Sequence, residues 1–338
     1  MTRSIALMGT IVTIEVAGRE DGLQASDGVE GAIDRAFGWF LEVESRCTRF
    51  EPTSELMRLC ASVGGPVSVS EILCEAIRFA LAVAEASGGA FDPTVGHAME
   101  TRGFDRHYRT GQSVRTAVAP CGTCGYQDVV VDAERRTVTL RRSLGLDLGA
   151  VAKGLAIDLA ARELAPFEHF AIDAGGDLRL GGLNPDGEAW SVGVRHPRGV
   201  RELLAVLQVS NMAVCTSGDY ERRSPVAEGH HILDPRVMVS AAAVVSATVV
   251  APTAMVADAL ATAAFVLGPT QGMALLEQQG VDGLMVSPDL ERYATRGFAR
   301  FGPTVLTHAE GLAAAHLHRD DRPGDGGRGR GARRARAV

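Results

Sequence analysis

The single lysine of the chain, Lys153, lies where a glycine-rich turn leads into a predicted helix; the other basic side chains are all arginine. In LDLGAVAKG (146–154), Asp147 precedes the turn, Gly149 permits close approach of a ligand to the backbone, and the helix begins near Ala150. The N–H groups of a helix start, with an ammonium in its first turn, favour a phosphate or pyrophosphate. A solvent-facing lysine is the alternative interpretation, and the spacing is not that of a Walker motif.

A second candidate set is Asp258 with Thr262, on a helix predicted over 251–268. Residues four apart share one face of a helix. The rest of this helix is apolar, so a buried Asp258 carboxylate needs a partner or a cation. A hard cation such as Mg²⁺ takes carboxylate, hydroxyl and carbonyl oxygens. The alternative is that Asp258 pairs with an arginine elsewhere or caps a helix.

A third set combines CTSGDYER (215–222) with HHILDPR (230–236). His230 and His231 precede an apolar dipeptide and an Asp-Pro turn, which predicts a fixed chain direction. A histidine there is a candidate general base because its pKa lies near neutrality. A solvated loop histidine is the more frequent explanation for any one histidine of this kind.

The pattern of apolar residues predicts the elements that must position these side chains. The predicted helices are 28–45, 68–89, 150–164, 252–267 and 270–279. The predicted strands are 11–16, a hairpin over 128–140, a strand–turn–strand over 171–182, 190–195, 203–209, 244–250 and 283–287. Since helices and strands mix without strict βαβ alternation, we expect an α+β fold of mixed, largely antiparallel sheets packed with helices.

Composition divides the chain into a globular body and a tail. With 338 residues and 46% hydrophobic residues, residues 1–316 can form one domain with a sizeable core. Residues 317–338 are rich in Arg and Gly with almost no apolar side chains, so we predict a disordered tail. Nothing in the acidic body suggests a nucleic-acid partner. The tail itself could contact RNA or acidic lipid, or be an unselected extension.

Targeting and redox signals are weak. No secretory signal is evident at the N-terminus, and the uncharged run Val237–Ala257 predicts a strand, a turn and a helix start better than a transmembrane segment. Cys121 and Cys124 form a close pair, but a zinc site would require a second pair or two histidines at matching spacing. We therefore expect reduced thiols, no transmembrane segment and a cytoplasmic location.

Eight fragments, in this order, resemble the ApbE family, the FAD:protein FMN transferases. The resemblance covers about residues 5–290. The fragments are MGT (8–10), RFEPTSELMRL (49–59), GGAFDPTVG (88–96), LDLGAVAKG (146–154), IDAGGD (172–177), TSGDYER (216–222), HHILDPR (230–236) and the ADALAT helix. The resemblance implies a Mg²⁺-dependent α+β enzyme that binds FAD and transfers its FMN moiety to a Ser or Thr of an acceptor flavoprotein, releasing AMP.

The same resemblance implies roles for individual residues. The implied FAD contacts are Met8, Phe50, Ala90, Phe91, Asp92, Asp147, Lys153 and Leu233. The implied magnesium ligands are the Ala150 carbonyl, Asp258 and Thr262, and His231 matches the histidine that activates the acceptor hydroxyl. These roles agree with the chemistry, because attack on a pyrophosphate requires a metal, a cation on the phosphate oxygens and a positioned nucleophile.

Three residues in two segments depart from the family pattern, and two other functions stay open. Val237 and Met238 follow HHILDPR where Thr-Gly is usual, and Cys60 stands where an asparagine is common. A Mg²⁺-dependent FAD pyrophosphatase, which gives FMN and AMP, would need the same metal and phosphate sites. A non-catalytic FAD-binding protein is the other alternative, although it would not need Asp258, Thr262 and His231.

Overall fold

The computed structural model describes residues 1–17, 24–116, 119, 122, 124–199, 202–302, 304–305 and 335–337. Its helices are α1 (Gln24–Cys47), α2 (Glu55–Cys60), α3 (Glu71–Ala86), α4 (Gly96–Thr101), α5 (Gly149–Leu164) and α6 (Ala254–Gln278). Its strands are β1 (Thr2–Leu7), β2 (Thr10–Val16), β3 (Pro66–Ser68), β4 (Val129–Asp132), β5 (Thr137–Leu140), β6 (Phe170–Ala174), β7 (Asp177–Gly181), β8 (Trp190–Arg195), β9 (Leu203–Val209), β10 (Ala213–Gly218), β11 (Leu233–Asp234), β12 (Val239–Ser240), β13 (Ser246–Ala251), β14 (Asp282–Val286), β15 (Arg292–Ala294), β16 (Thr304–Val305) and β17 (Ala335–Ala337).

An eight-stranded sheet is the centre of the fold. Its strand order is β1-β2-β6-β7-β10-β13-β14-β15, and every neighbouring pair is antiparallel. Three smaller sheets have the orders β16-β9-β8-β17, β3-β5-β4 and β11-β12. The predicted α+β fold with largely antiparallel sheets is thus confirmed.

The large sheet is covered on both faces. Helices α1, α5 and α6 pack on one face, with α3 packed against these helices, and the sheet that contains β8 and β9 packs on the other face. Along β13, Val249 contacts the helical core and Val250 contacts the second sheet, as the two-residue period of a strand requires. All six residues of β13 are buried. This explains why its sequence, SATVVA, consists of small and β-branched residues and contains no charged side chain.

Helices α5 and α6 cross at very close range. A Cβ on Gly154 of α5 would lie 2.5 Å from the Cα of Met255. One turn further along α5, the Asp158 carboxylate accepts the N–H groups of Ala254 (2.8 Å) and Met255 (2.9 Å). These are unpaired N–H groups at the start of α6, so Asp158 caps that helix from its neighbour. The contact fixes where α6 begins relative to α5.

The predicted end of the first apolar helix at Gly268 corresponds to a break within α6. Gly268 has φ 76° and ψ 179°, and Pro269 follows it. At its other end the helix begins at Ala254 with Thr253 as N-cap, two residues later than predicted. Among the described residues α6 is the one helix long and apolar enough to span a membrane, but 61% of that stretch is buried inside the protein. Burial and the break at Gly268 are typical of a core helix.

Several elements were not predicted or lie outside the described residues. Strands β1 and β10 were not predicted, because their short sequences carry polar residues without a clear period. Most of the predicted disordered tail, and Cys121, lie outside the described residues. Within the described residues, Ala335–Ala337 pair in parallel with Ser191–Gly193 at the edge of β8, and the disordered tail stays a prediction. An edge strand offers backbone partners to any segment that reaches it.

The close crossing of α5 and α6 predicts that Gly154→Ala lowers the free energy of unfolding by about 1–3 kcal/mol, because the added methyl pushes the α6 backbone away. Gly38→Ala is the matched control: Gly38 lies inside α1 with no atom near its missing Cβ. That change is expected to stabilise the protein by up to about 1 kcal/mol. Chemical denaturation measures both, and a Gly154→Ala protein as stable as wild type would contradict the tight crossing.

Candidate active site

Every residue that the sequence predicted for the site lines one cleft of about 970 Å³. This volume is at the upper end of the usual range for small-molecule sites, about 300–1,000 Å³. The predicted residues brought together there are Met8, Phe50, Ala90, Phe91, Asp92, Asp147, Ala150, Lys153, His231, Leu233, Asp258 and Thr262. The fold therefore collects side chains from most of the length of the chain.

Two tight turns of the large sheet form one side of the cleft. Met8 (φ 51°) and Gly9 (φ 76°) connect β1 to β2. Gly175 (φ 67°) and Gly176 (φ 96°) connect β6 to β7, a two-residue hairpin turn in which both residues are left-handed. A side chain at Gly175 would overlap the Thr10 hydroxyl. The turn places Asp177, the first residue of β7, in the cleft wall.

Lys153 lies between two carboxylates. Its Nζ donates to Asp258 Oδ2 at 3.2 Å and also forms an ion pair with Asp177. Both carboxylate side chains are almost fully buried, whereas the Lys153 side chain is 23% exposed. Because α5 begins at Gly149, Lys153 lies in the second turn of the helix and not the first. Asp258 thus has a lysine as its partner, where the sequence had suggested a cation or an arginine.

Hydroxyl oxygens lie beside the acidic residues. Thr262 follows Asp258 by one turn of α6, and its Oγ1 is 3.1 Å from Ser217 Oγ of β10. An all-oxygen set of carboxylates and hydroxyls fits a hard cation such as Mg²⁺. Among the described residues no group of three or more His, Cys, Asp and Glu side chains is arranged to hold a metal. A cation here would therefore also need hydroxyl, backbone or substrate oxygens.

A buried ion pair between Arg49 and Asp147 stabilises another part of the cleft wall. Arg49 Nε lies 2.5 Å from Asp147 Oδ2, Arg49 Nη2 donates to the carbonyl of Phe104, and the guanidinium stacks on the Phe50 ring at 4.2 Å. Asp147 Oδ1 accepts the Gly149 N–H at 2.8 Å. Burial raises the Asp147 pKa, but the Arg49 charge and these hydrogen bonds outweigh it and leave the pKa below its usual value. Asp147 thus accepts the Gly149 N–H, one of the helix-start N–H groups that the sequence predicted would bind an anion.

The Asp92 carboxylate organises its own loop. Its Oδ1 accepts the N–H (2.8 Å) and hydroxyl (2.7 Å) of Thr94, and its Oδ2 accepts the Tyr126 N–H at 3.0 Å. Burial raises the Asp92 pKa. These bonds fix the turn that presents the buried residues Ala90 and Phe91 to the cleft. The loop is therefore preformed.

The two adjacent histidines have different environments. His230 is buried; its Nδ1 accepts the Ile232 N–H at 3.2 Å, so its Nε2 donates to the Ala241 carbonyl at 2.8 Å. His231 lines the cleft, and its Nδ1 lies 3.4 Å from the Arg222 carbonyl, which leaves Nε2 to accept a proton. Burial, followed by the Arg222 charge, lowers the His231 pKa to about 4. His231 is therefore a neutral imidazole at neutral pH.

Sequence reasoning did not assign site roles to Asp177, Ser217 or Arg49, although all three lie in the family-like fragments. Arg49 Nη1 is buried and has no hydrogen-bond partner among the described residues. Their position in the family-like fragments was the one indication in the sequence that these three residues belong to the site. The fragments do not show which residues far apart in the chain contact one another.

Comparison with known proteins identifies the family of this chain. Residues 8–285 match the ApbE family, and the chain belongs to that family. It is similar to the FAD:protein FMN transferase of Treponema pallidum (strain Nichols), at 32% identity over 88% of this chain and 87% of that protein. An FAD:protein FMN transferase of Vibrio cholerae is 29% identical over 87% of this chain and 90% of its own length.

Solved structures agree with the sequence comparison. The ApbE protein of Thermotoga maritima superposes with a TM-score of 0.76 at 28% identity, covering 89% of this chain and 98% of that one. The flavin transferase ApbE of Vibrio cholerae gives a TM-score of 0.74 at 27% identity, covering 89% and 98%. Fold and family thus agree over nearly the whole of each relative.

The buried Arg49–Asp147 pair predicts that Arg49→Met lowers the free energy of unfolding by about 3–5 kcal/mol, because it leaves a buried carboxylate without its counter-charge. Arg78→Met is the control, since the Arg78–Glu75 pair is exposed on α3 and such pairs contribute about 0–1 kcal/mol. Denaturant titration measures the free energy of unfolding of both variants. An equal decrease in the two would contradict a stabilising role for the buried Arg49–Asp147 pair.

The same pair predicts a pH dependence. The folded-state pKa of Asp147 is lowered, so its contribution is present above the unfolded pKa of about 3.9 and is lost as pH falls through the folded value. In Arg49→Met the buried Asp147 carboxyl loses the charge that lowers its pKa, so its pKa rises above the ordinary value. The stability difference between wild type and the variant should therefore narrow as pH falls through this raised pKa and on toward the lowered wild-type value. A difference that stays constant down to pH 3 would argue against this pair as the cause.

Proposed function

We propose that the chain is an FAD:protein FMN transferase which moves the FMN moiety of FAD onto a Ser or Thr hydroxyl of an acceptor flavoprotein, in a Mg²⁺-dependent reaction that releases AMP. Membership of the ApbE family supports flavin transfer. The observation that carries the finer proposal is the arrangement of one cleft. It combines a neutral histidine, an ammonium and a buried carboxylate beside a hydroxyl.

The proposed reaction is a substitution at the FMN phosphorus of FAD. The acceptor Oγ forms a bond to this phosphorus, the bond to the bridging oxygen breaks, and that oxygen leaves with AMP. The hydroxyl proton passes to Nε2 of His231, whose Nδ1 is oriented by the Arg222 carbonyl. The negative charge of bound FAD phosphates would oppose the lowering of the His231 pKa by burial and Arg222, which would make the imidazole a better base in the complex.

The metal would be held by Asp258, Thr262 and the Ala150 carbonyl, all of which line the cleft. When bound, Mg²⁺ supplies positive charge to the phosphate oxygens. The cation needs few protein ligands, because Mg²⁺ commonly binds one or two carboxylates together with substrate phosphates and water. Lys153 would contact the same phosphate oxygens, because its ammonium is a compact positive charge on a flexible stem.

The FAD contacts proposed for the cleft divide by chemistry. The apolar side chains suit the flavin and adenine rings, and the charged ones suit the phosphates and hydroxyls. Phe50 is held by the Arg49 guanidinium and presents its ring to the cleft. The proposed contacts are Met8, Phe50, Ala90, Phe91, Asp92, Asp147, Lys153 and Leu233.

An exposed apolar surface next to His231 favours a protein acceptor over water. Val226 is 67% exposed, Val237 61%, Val239 49% and Met238 44%. Val226 precedes His231 on the loop after β10, and the other three lie in the turn and at the start of the second strand of the β11–β12 hairpin. Exposed apolar clusters often mark protein contacts. Val237 and Met238 replace Thr-Gly, yet the β11–β12 hairpin forms, with Met238 at φ 57° and its N–H on the Asp234 carbonyl.

Some sequence predictions stay predictions. These are the extent of the domain over 1–316, the cytoplasmic location and the absence of a nucleic-acid partner. Three outcomes distinguish the possible functions in the assays below. Transfer labels an acceptor with flavin, hydrolysis of FAD by water releases free FMN, and non-catalytic FAD binding yields neither product.

The metal proposal predicts that Asp258→Asn lowers the rate of FMN transfer and of AMP release by about a hundredfold or more, since a metal supplies several kcal/mol of charge stabilisation. The fold should be retained, because Asn is nearly isosteric. Asp289→Asn, an exposed aspartate outside the cleft, should act like wild type. An Asp258→Asn enzyme with the wild-type rate and the wild-type Mg²⁺ dependence would remove Asp258 from the site.

The base proposal predicts that His231→Ala lowers transfer by about 10²–10⁴-fold while FAD binding persists. In wild type, kcat/KM for FAD at pH 5.5 should lie within about twofold of its value at pH 7.5, because this ratio reports the free enzyme, in which the His231 pKa is about 4. A histidine of ordinary pKa would lose roughly tenfold. In-gel flavin fluorescence measures transfer, and release of free FMN measures hydrolysis. Steady conversion of FAD to free FMN, with no acceptor labelled, would identify a pyrophosphatase instead.

A further inference from the structure

One ammonium serves two buried carboxylates in the cleft wall. Lys153 comes from α5, Asp177 from β7 and Asp258 from α6. The side chains of Asp177 and Asp258 are 7% and 11% exposed. A single positive charge leaves this group with a net charge of −1, and buried carboxylates without full compensation are unfavourable. The group therefore attracts further positive charge.

We infer that Lys153 and the divalent cation compete for the Asp177–Asp258 pair, and that Lys153 is an internal counter-ion which moves to the substrate phosphates when the cation binds. Asp177 is thereby assigned as the second carboxylate of the cation site. The inference rests on the proposed function, because that function supplies the cation and the phosphates.

The competition follows from shared atoms. Lys153 Nζ contacts Oδ2 of Asp258 and Oδ2 of Asp177, and a cation bound to these oxygens would meet the ammonium at very short range. Two like charges at such a distance repel strongly in a partly buried site. One of them must leave the oxygens.

The geometry also indicates which group moves. Asp258 is fixed by the start of α6, where Asp158 holds the Ala254 and Met255 N–H groups. Asp177 is fixed by the β6–β7 turn. The Lys153 side chain, by contrast, is a flexible four-carbon stem that is partly exposed in the cleft. The ammonium can therefore leave without any movement of the backbone.

Competition has a measurable cost in affinity. When a site is available for only a fraction of the time, the apparent affinity of its ligand falls by that fraction. Without FAD, Lys153→Met should therefore bind Mn²⁺ more tightly than wild type, by about tenfold if the lysine occupies the carboxylates nine-tenths of the time. Asp177→Asn should bind Mn²⁺ more weakly. Free Mn²⁺ is followed by its electron paramagnetic resonance signal.

Two variants control for charge alone. Lys153→Arg keeps a positive charge near the pair and should not tighten Mn²⁺ binding. Arg106→Met removes a positive charge from the same cleft, but the Arg106 guanidinium donates to the Gly111 carbonyl and not to the acidic pair. Its effect on Mn²⁺ affinity should be much smaller than that of Lys153→Met.

The wild-type protein offers an independent measurement, because Lys153 is its only lysine. Its rate of modification by a small acylating reagent can be read by mass spectrometry of one peptide. The Met1 amine, whose N–H donates to the Val16 carbonyl, is the internal reference. Mg²⁺ alone should speed modification of Lys153 relative to Met1, and Mg²⁺ with FAD should slow it again.

The outcomes separate the inference from the function on which it rests. Tighter Mn²⁺ binding by Lys153→Met, together with faster acylation of wild type in Mg²⁺, supports the competition. If wild type binds Mn²⁺ but Lys153→Met binds it equally or more weakly, the competition is wrong and the metal site stands. If neither protein binds Mn²⁺, both the competition and the proposed metal site fail. If Lys153→Met does not fold, the acylation rates decide.

Discussion

The contact of α5 with α6 is the constraint on which the site depends. Gly154 removes the side chain that would hold the helices apart, and Asp158 accepts the first N–H groups of α6. Lys153 directly precedes Gly154, and Asp258 follows the start of α6 by one turn. The same close approach that stabilises the helical layer therefore places the ammonium within reach of the carboxylate. The residues that pack α5 against α6 also position Lys153 and Asp258, so a substitution that alters this packing would also alter the site.

The large sheet supplies the other half of the site through its turns and strand ends. Two glycines with positive φ reverse the chain between β6 and β7, which places Asp177 opposite Lys153. Strand β10 places Ser217 against Thr262 of α6. Because both strands belong to a sheet buried on both faces, these oxygens lie on a rigid support. Rigid support of this kind is what a site for charged ligands requires.

The sequence predicted local structure well and long-range partners poorly. Alternation over 11–16 and helical spacing over 150–164 correspond to β2 and α5, since each pattern is a property of neighbouring residues. Strand β10 was not predicted, because its small and polar residues are buried by tertiary contacts and show no period. The family resemblance named Lys153 and Asp258, but it did not reveal that they touch. Their ion pair joins residues 105 positions apart, which no local pattern encodes.

A comparison of Arg49 with Lys153, the two basic residues that form ion pairs with buried carboxylates of the cleft, suggests why this arginine-rich chain keeps one lysine. Arg49 makes several fixed contacts, with Asp147, the Phe104 carbonyl and the Phe50 ring, which suits a planar guanidinium with several donors. Lys153 contacts the carboxylates of Asp177 and Asp258 through a single nitrogen on a flexible stem. A guanidinium in its place would be held by geometry as well as by charge, and so would be harder to displace. A lysine suits a position where the charge must be present in one step and absent in the next.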